Sequence, residues 1–344
     1  MATLEDVAKR ARVSISTASR ILSERGRWDQ RFRQETRERV LQASRELGYA
    51  PNLAARALVS GRSNIIATVF PRVYDSPFSA MSYLQVLGGI EAACHRHKYH
   101  LLITSPDMIS GHTTENYLQL VQSGYLDGMI LRDEFAAYSV LQPVIAAGIP
   151  AVVLGHRPHP HYVRSDDYSG GYQAMAHVLE LGHRRIGIIA MHDGEHYTVD
   201  RCVAGMLAAA AEAGLPPTAI QRVFASFSSE SAAEGARRLL EAEGRPTAIL
   251  CMNDLGAYGV IEQALKQGLR VPDDLSVIGY DDLPHSRDRR PQLTSVNQSV
   301  DQWGPAAVDM LMALMAGHTP EPVTMPARLV IRESTAPPPL AEDP

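Results

Sequence analysis

The hydrophobic rhythm of the chain changes at about residue 65. Before it, apolar side chains recur at three- and four-residue spacing: Leu4, Val7, Ala8 and Ala11, then Ala18, Ile21 and Leu22. That is the period of short amphipathic helices. Thr3, with Asp6 three residues later, reads as a capping box, so a first helix is expected to open at Leu4. A tight turn follows around Arg12 and Val13. Ser14 is then placed to cap a second helix running from Ile15 to about Ser23. On it Ala18, Ile21 and Leu22 face inward, while Ile15, Ser16, Ser19 and Arg20 share the opposite face. Asp29 is the expected cap of a third helix that starts early enough to stack Phe32, Thr36 and Val40 at i, i+4.

From Ile65 onward the pattern is different. Unalternating apolar runs (IIATVF at 65–70, YHLLITS at 99–105, GMILR at 128–132, AVVL at 151–154) are separated by amphipathic stretches. A second set follows: RIGIIA at 185–190, RVFA at 222–225, AILCM at 248–252 and LSVIGY at 275–280. Strands of this kind, interleaved with helices, predict parallel sheets covered on both faces. Two sets imply an α/β body of two doubly wound half-domains behind a small all-α head. In such sheets ligands bind at the carboxyl ends of the strands, so the cleft between the halves is the expected site.

Charge sharpens the division. The net charge of −5 conceals a head, residues 1–62, with 13 Lys and Arg against 7 Asp and Glu. The rest of the chain holds 20 basic and 31 acidic side chains. A basic head on an acidic body suits a nucleic-acid contact at one end, although a pair of charged surface helices would give the same count. The remaining composition excludes more than it proposes. With 45% hydrophobic and 21% charged residues over 344 positions, a globular chain of more than one domain is expected. No run of about 18 uncharged apolar residues exists, so no membrane span is expected. The opening MATLEDVAKR has no apolar h-region, and a cytoplasmic location is expected. Cys94, Cys202 and Cys251 are far apart in apolar settings and read as buried thiols. His156, His159 and His161, with His192 and His196, could share a metal ion, but the prolines between them suit exposed loop histidines, and no metal is assigned. No G-x-S-x-G elbow, phosphate loop or G-x-G-x-x-G opens a helix, so neither an enzyme nor a cofactor is expected.

Two short helices joined by so tight a turn make a helix-turn-helix, whose second helix enters the major groove of DNA. Ile15 can meet a thymine methyl, Ser16 can bond to several bases and Arg20 can take the O6 and N7 of guanine. Thr17 and Ser19 suit phosphates.

TLEDVAKRARVSISTASRIL (3–22) and TRERVLQASRELGYAPNLAARAL (36–58) resemble the head of the lactose-repressor (LacI/GalR) family of bacterial transcription regulators. The resemblance implies a head at 1–49 and a hinge helix with its linker at 50–61, in which Asn52, Ala55 and Leu58 contact operator DNA. Leu58 falls where the family inserts a leucine wedge into the minor groove; a buried linker contact is the alternative. The segment SERGRWDQRFRQE (23–35) is about four residues longer than the family's connection, with Arg33 where a capping serine is common.

The resemblance continues through LGGIEAA, LDGMIL, AAGIPAVVL, LELGHRRIGII, RPTAILCMNDLGAYGV, LRVPDDLSVIGYDD, PQLTSVNQ and LVIREST. It implies a periplasmic-binding-protein-like body at 62–336, with an N-half (62–167 and 296–327) and a C-half (168–295 and 328–336). The chain would cross between them near Asp167, Ser295 and Arg328, and a proline-rich tail at 337–344 would be disordered. Effector positions carried over are Phe78, Arg132, Arg201, Phe227, Asn253, Asp281 and Gln298. Such a set suits a polyhydroxylated ligand: carboxylate and amide take hydroxyl hydrogens, guanidinium donates and a ring covers the apolar sugar face. Taken singly, Asp281 or Asn253 could equally form a turn or cap a helix. Two features depart from the family: Gly155, His156 and Arg157 stand where many sugar-responsive members place an acid, and SPFSAMSYLQVLGGIE (76–91) is about four residues long for its place.

The implied function is a regulator, expected to repress a carbohydrate-utilisation operon. It would bind a pseudo-palindromic operator as a homodimer and respond to a small sugar. A purine or other metabolite is the alternative effector. A solute-binding protein of a transport system is the alternative from another class, though it would need an export signal and no DNA-binding head.

Overall fold

The computed structural model describes residues 2–22, 32–50, 62–70, 81–106, 115–133, 139–190, 194, 196–226 and 228–339. They form two compact units, Met1–Asn64 and Ile65–Pro344.

Among the described residues the first unit has three helices: α1 (Leu4–Ala11), α2 (Ile15–Leu22) and α3 (Gln34–Glu46). The Thr3 side chain accepts from the Asp6 N–H and Asp6 answers to the Thr3 backbone, so the expected capping box is present. Arg12, at φ 54, makes the left-handed turn between α1 and α2. Ser14 then accepts the Thr17 N–H at 3.1 Å and caps α2 as expected. Val7, Ala8, Ala11, Ala18, Ile21, Val40 and Ala43 form the core, none more than 3% exposed. The early start expected for the third helix is not what is found. It begins at Gln34, behind Arg33, which makes no side-chain cap bond, so Phe32 precedes the helix. Phe32 still packs on the head core, while Glu35–Arg39 and Gln34–Glu38 pairs support the first turns. Asp29 lies outside the described residues.

Among the described residues the second unit contains two six-stranded sheets. Its strands are β1 (Ile65–Val69), β2 (His100–Thr104), β3 (Gly128–Arg132), β4 (Ala151–Leu154), β5 (Tyr162–Ser165), β6 (Ile186–Ala190), β7 (Ile220–Phe224), β8 (Ala248–Cys251), β9 (Ser276–Asp281), β10 (Thr294–Asn297), β11 (Val323–Met325) and β12 (Arg328–Val330). Its helices are α4 (Met81–Arg96), α5 (Glu115–Gln122), α6 (Leu141–Ala146), α7 (Asp167–Glu180), α8 (Tyr197–Glu212), α9 (Ser229–Glu241), α10 (Asp254–Lys266), α11 (His285–Asp288) and α12 (Trp303–Met315).

The sheets share one topology, β11-β5-β4-β3-β1-β2 and β12-β10-β9-β8-β6-β7. Every pair is parallel except β10 with β12, where Ser295 faces Val330. Each apolar run of the sequence lies on a strand, and each sheet has a core on both faces, as expected for doubly wound layers. In the second half, α7 and α8 cross at Gly171 and Gly205. A Cβ there would sit 2.0 Å from the Cys202 carbonyl oxygen and 1.9 Å from that of Tyr168, so only glycine allows the approach.

Three connections join the halves: β5 to α7, β10 to α12 and β11 to β12. The C-terminal segment is anchored further than expected. The Ala336 backbone bonds to His183 and Ser276, and Pro338 lies 3.7 Å from the position of a Gly182 Cβ. Of the tail at 337–344, Pro338 lies against Gly182, and residues 340–344 lie outside the described residues. All three cysteines are buried free thiols, as their settings predicted. Among the described residues no helix is long and apolar enough to cross a membrane.

Candidate functional site

In the head, burial of Ala18 and Ile21 turns Ile15, Ser16, Ser19 and Arg20 outward on one face of α2. Ile15 is 50% exposed, a large apolar group at the first turn of a helix. Thr17 differs from its neighbours. It is half-buried, and its hydroxyl lies 2.8 Å from that of Ser14, which also contacts Ser16 at 3.0 Å. Its oxygen therefore serves the helix start, a role the sequence reading did not give it. Asn52, Ala55 and Leu58 lie outside the described residues.

In the body, Asp281 ends β9 at φ 110, followed by Asp282 at φ 53. Two positive angles in succession re-aim the chain at the carboxyl edge of the sheet. Gln298, in the β10-to-α12 connection, donates Nε2 to Asp281 Oδ1 at 2.5 Å. Two expected positions are thus brought together. Burial holds the Asp281 carboxyl well above the usual carboxylate range; Asp254 and Asp167 add to this, and Arg132 opposes it. Arg132, at the end of β3, is buried under the Tyr83 ring at 4.1 Å, with Trp303 at 5.4 Å. A cavity of about 510 Å³ opens beside this cluster, lined by Gln85, Asp281, Arg287, Asn297 and Asp301 among others. That size suits a small organic ligand.

The other expected positions are less united. Asn253 caps α10, its side-chain oxygen accepting the Gly256 N–H at 2.5 Å, so the capping alternative holds for that atom. Arg201 is exposed on α8, 5.2 Å above the Tyr168 ring. Phe78 and Phe227 lie outside the described residues.

Sequence reasoning missed the buried acids. Asp254 accepts from the hydroxyls of Ser286 and Ser295 and from Leu283 N–H, yet full burial still raises its carboxyl to about 6. It also missed His156, expected in an exposed loop. Its side chain is 6% exposed and pairs with Asp167 at 2.6 Å. A neutral or charged imidazole beside a buried carboxylate satisfies both groups, which is why the histidine goes inside. His159 contacts the His161 carbonyl, and His196 accepts the Val199 N–H, so these rings serve the backbone. Among the described residues no group of three or more His, Cys, Asp or Glu is placed to hold a metal.

Comparison with known families matches residues 3–52 to the model for bacterial regulatory proteins, lacI family, and residues 175–335 to that for a periplasmic binding protein-like domain. The HTH-type transcriptional regulator DegA of Bacillus subtilis is 33% identical over 97% of this chain and 98% of its own length. The chain belongs to the lacI family. The HTH-type transcriptional repressor PurR of Haemophilus influenzae is likewise 33% identical over 97% of this chain and 98% of its length. Among solved structures, the lac repressor dimer bound to operator and the anti-inducer ONPF superposes with TM-score 0.83 at 25% identity, covering 97% of this chain and 99% of that one. The transcriptional regulator CelR in complex with cellobiose gives 0.70 at 29% identity, covering 97% and 100%. This lacI-family protein is a ligand-responsive, DNA-binding transcriptional repressor with a helix-turn-helix head and a periplasmic-binding-protein-like body.

Proposed function

We propose that this lacI-family repressor binds a pseudo-palindromic operator as a homodimer and is modulated by a sugar held in the cleft of its body. Ile15, Ser16 and Arg20 read base edges, and Ser19 holds phosphate. Asn52, Ala55 and Leu58 contact the operator from the hinge. Two-fold symmetry doubles the little specificity of one short head. Met81 and Leu84, each 45% exposed on α4, suit burial against a second copy.

The observation that carries the sugar reading is the Asp281–Gln298 pair at the edge of a roughly 510 Å³ cavity, with the ring-stacked Arg132 beside it. A carboxyl, an amide and a guanidinium offer both acceptors and donors to vicinal hydroxyls. Arg201 and Asn253, with Phe78 and Phe227, complete the proposed lining. The CelR neighbour, bound to cellobiose, supports an oligosaccharide. Identity to PurR repressors favours a purine as the second reading.

Thermal unfolding against sugars, sugar phosphates and purines tests this. A ligand at about 100 times its Kd should stabilise the body by roughly 2.7 kcal/mol. Stabilisation by a sugar, lost in Asp281→Ala with operator binding retained, is the expected result. A response to purines alone would replace the sugar reading, and an unchanged response in Asp281→Ala would remove this pocket.

A further inference from the structure

Two consecutive residues reach from the first half of the body to the second, one of them beside the β5-to-α7 crossing. His156 and Arg157 follow β4, a strand of the first sheet. His156 Nε2 lies 2.6 Å from Asp167 Oδ2, their side chains 6% and 0% exposed. Asp167 opens α7, which packs on the second sheet, and its other oxygen accepts the Tyr280 hydroxyl of β9 at 2.5 Å. Arg157 pairs with Asp133 of the first half at 2.9 Å, with side chains 12% and 1% exposed. Its guanidinium also lies 5.4 Å from the ring centroid of Tyr197, the first residue of α8 in the second half. Asp133 is fixed in turn by the Ser139 hydroxyl at 2.7 Å and the Leu141 N–H at 3.2 Å. One strand end therefore grips two helices of the opposite half, one through a buried carboxylate and one through a ring.

None of His156, Arg157, Asp167 and Tyr197 lines the cavity beside Asp281. The His156–Asp167 contact resists separation of the halves, because a buried carboxylate stripped of its partner is far costlier than an exposed one, while Asp133, within the first half, holds Arg157 against the Tyr197 ring. An exposed pair would offer no such resistance.

We propose that His156 and Arg157 form a latch that holds the two halves of the body together before an effector enters, and so sets how readily the cleft opens. Hinged domains respond to ligand through such discrete contacts near the hinge. The regulatory role rests on the effector reading of the cleft, while the latch itself does not.

The test uses the full chain with Gln122→Cys on α5 and Lys266→Cys on α10, both exposed, carrying nitroxide labels. The native thiols are buried and escape labelling. Labelled chain is mixed with excess unlabelled protein, and the distance within one chain is read by double electron–electron resonance, with no sugar present. The parent and Arg237→Gln, whose ion pairs stay within α9, should give the same single distance. Tyr197→Ala and His156→Asn should each add a longer component, larger when combined. Parent-like distances in the folded variants would overturn the latch. Should His156→Asn fail to fold, Tyr197→Ala decides alone, since it leaves the His156–Asp167 and Arg157–Asp133 contacts in place. A silent sugar panel would sink the carbohydrate reading and leave the latch untouched.

Discussion

The head keeps its described acidic side chains on the surface, whereas the body also buries some of its own. In the head, carboxylates sit on the surface and are eased below their ordinary range by partners: Asp6 by the Thr3 backbone and hydroxyl, Glu46 by Gln42 and Arg10. In the body, burial pushes up Asp254 despite its bonds from Ser286, Ser295 and Leu283, and Asp281 despite its bond from Gln298. The difference follows from size. The head has only a few apolar residues to bury, and each of its described carboxylates stays exposed. The body has two double-faced sheets, large enough to enclose acids and to hold them where their environment matters. The head thus presents chemistry on a surface, and the body encloses it.

The largest test of that contrast is Ile21→Ala. Ile21 is fully buried in the small head core, and such a truncation costs about 2–5 kcal/mol. The head should lose its protection from limited proteolysis while the unfolding transition of the body stays where it was. A protected head would mean that its few core residues do not carry it.

The buried acid Asp254 comes next. Its carboxyl sits at about 6 instead of 3.8, so between those values the folded state keeps a proton that the unfolded state has released. Its contribution is intact below about pH 4 and falls by roughly 3 kcal/mol as pH rises to about 6, at about 1.4 kcal/mol per unit. Denaturant unfolding across this window should show that decline in the parent and a flatter profile in Asp254→Asn. Equal slopes would break the claim that burial dominates. The smallest effect belongs to the exposed face. Arg20→Ala should weaken binding to a duplex selected from a random pool by about 1–3 kcal/mol and relax discrimination at one position, without moving thermal stability. Uniform weakening across duplexes would make Arg20 a phosphate contact instead.

Much of this was legible in the chain. The capping box at Thr3 and Asp6, the turn before Ser14 and the outward face of α2 are local, set by residues within one or two turns of each other. The apolar runs of the strands were equally plain, because parallel strands buried on both faces carry no polar interruption. β5, β10, β11 and β12 escaped notice because they are three or four residues long and mix polar with apolar side chains. The start of α3 was misplaced because nothing local competes with Arg33, and packing of Phe32 decided the boundary.

By itself, then, the sequence determined the helix-turn-helix, the doubled α/β pattern and the polar positions Asp281 and Gln298 at strand ends. The first two depend on periodicity or on neighbours in the chain, while Asp281 and Gln298 were singled out by the family resemblance. Only the tertiary structure decided that Gln298 bonds to Asp281, that Asn253 turns its oxygen to a helix cap and that His156 goes inward to Asp167. Those pairings join residues distant in sequence, and a buried polar group takes whichever partner the packed layers bring within reach.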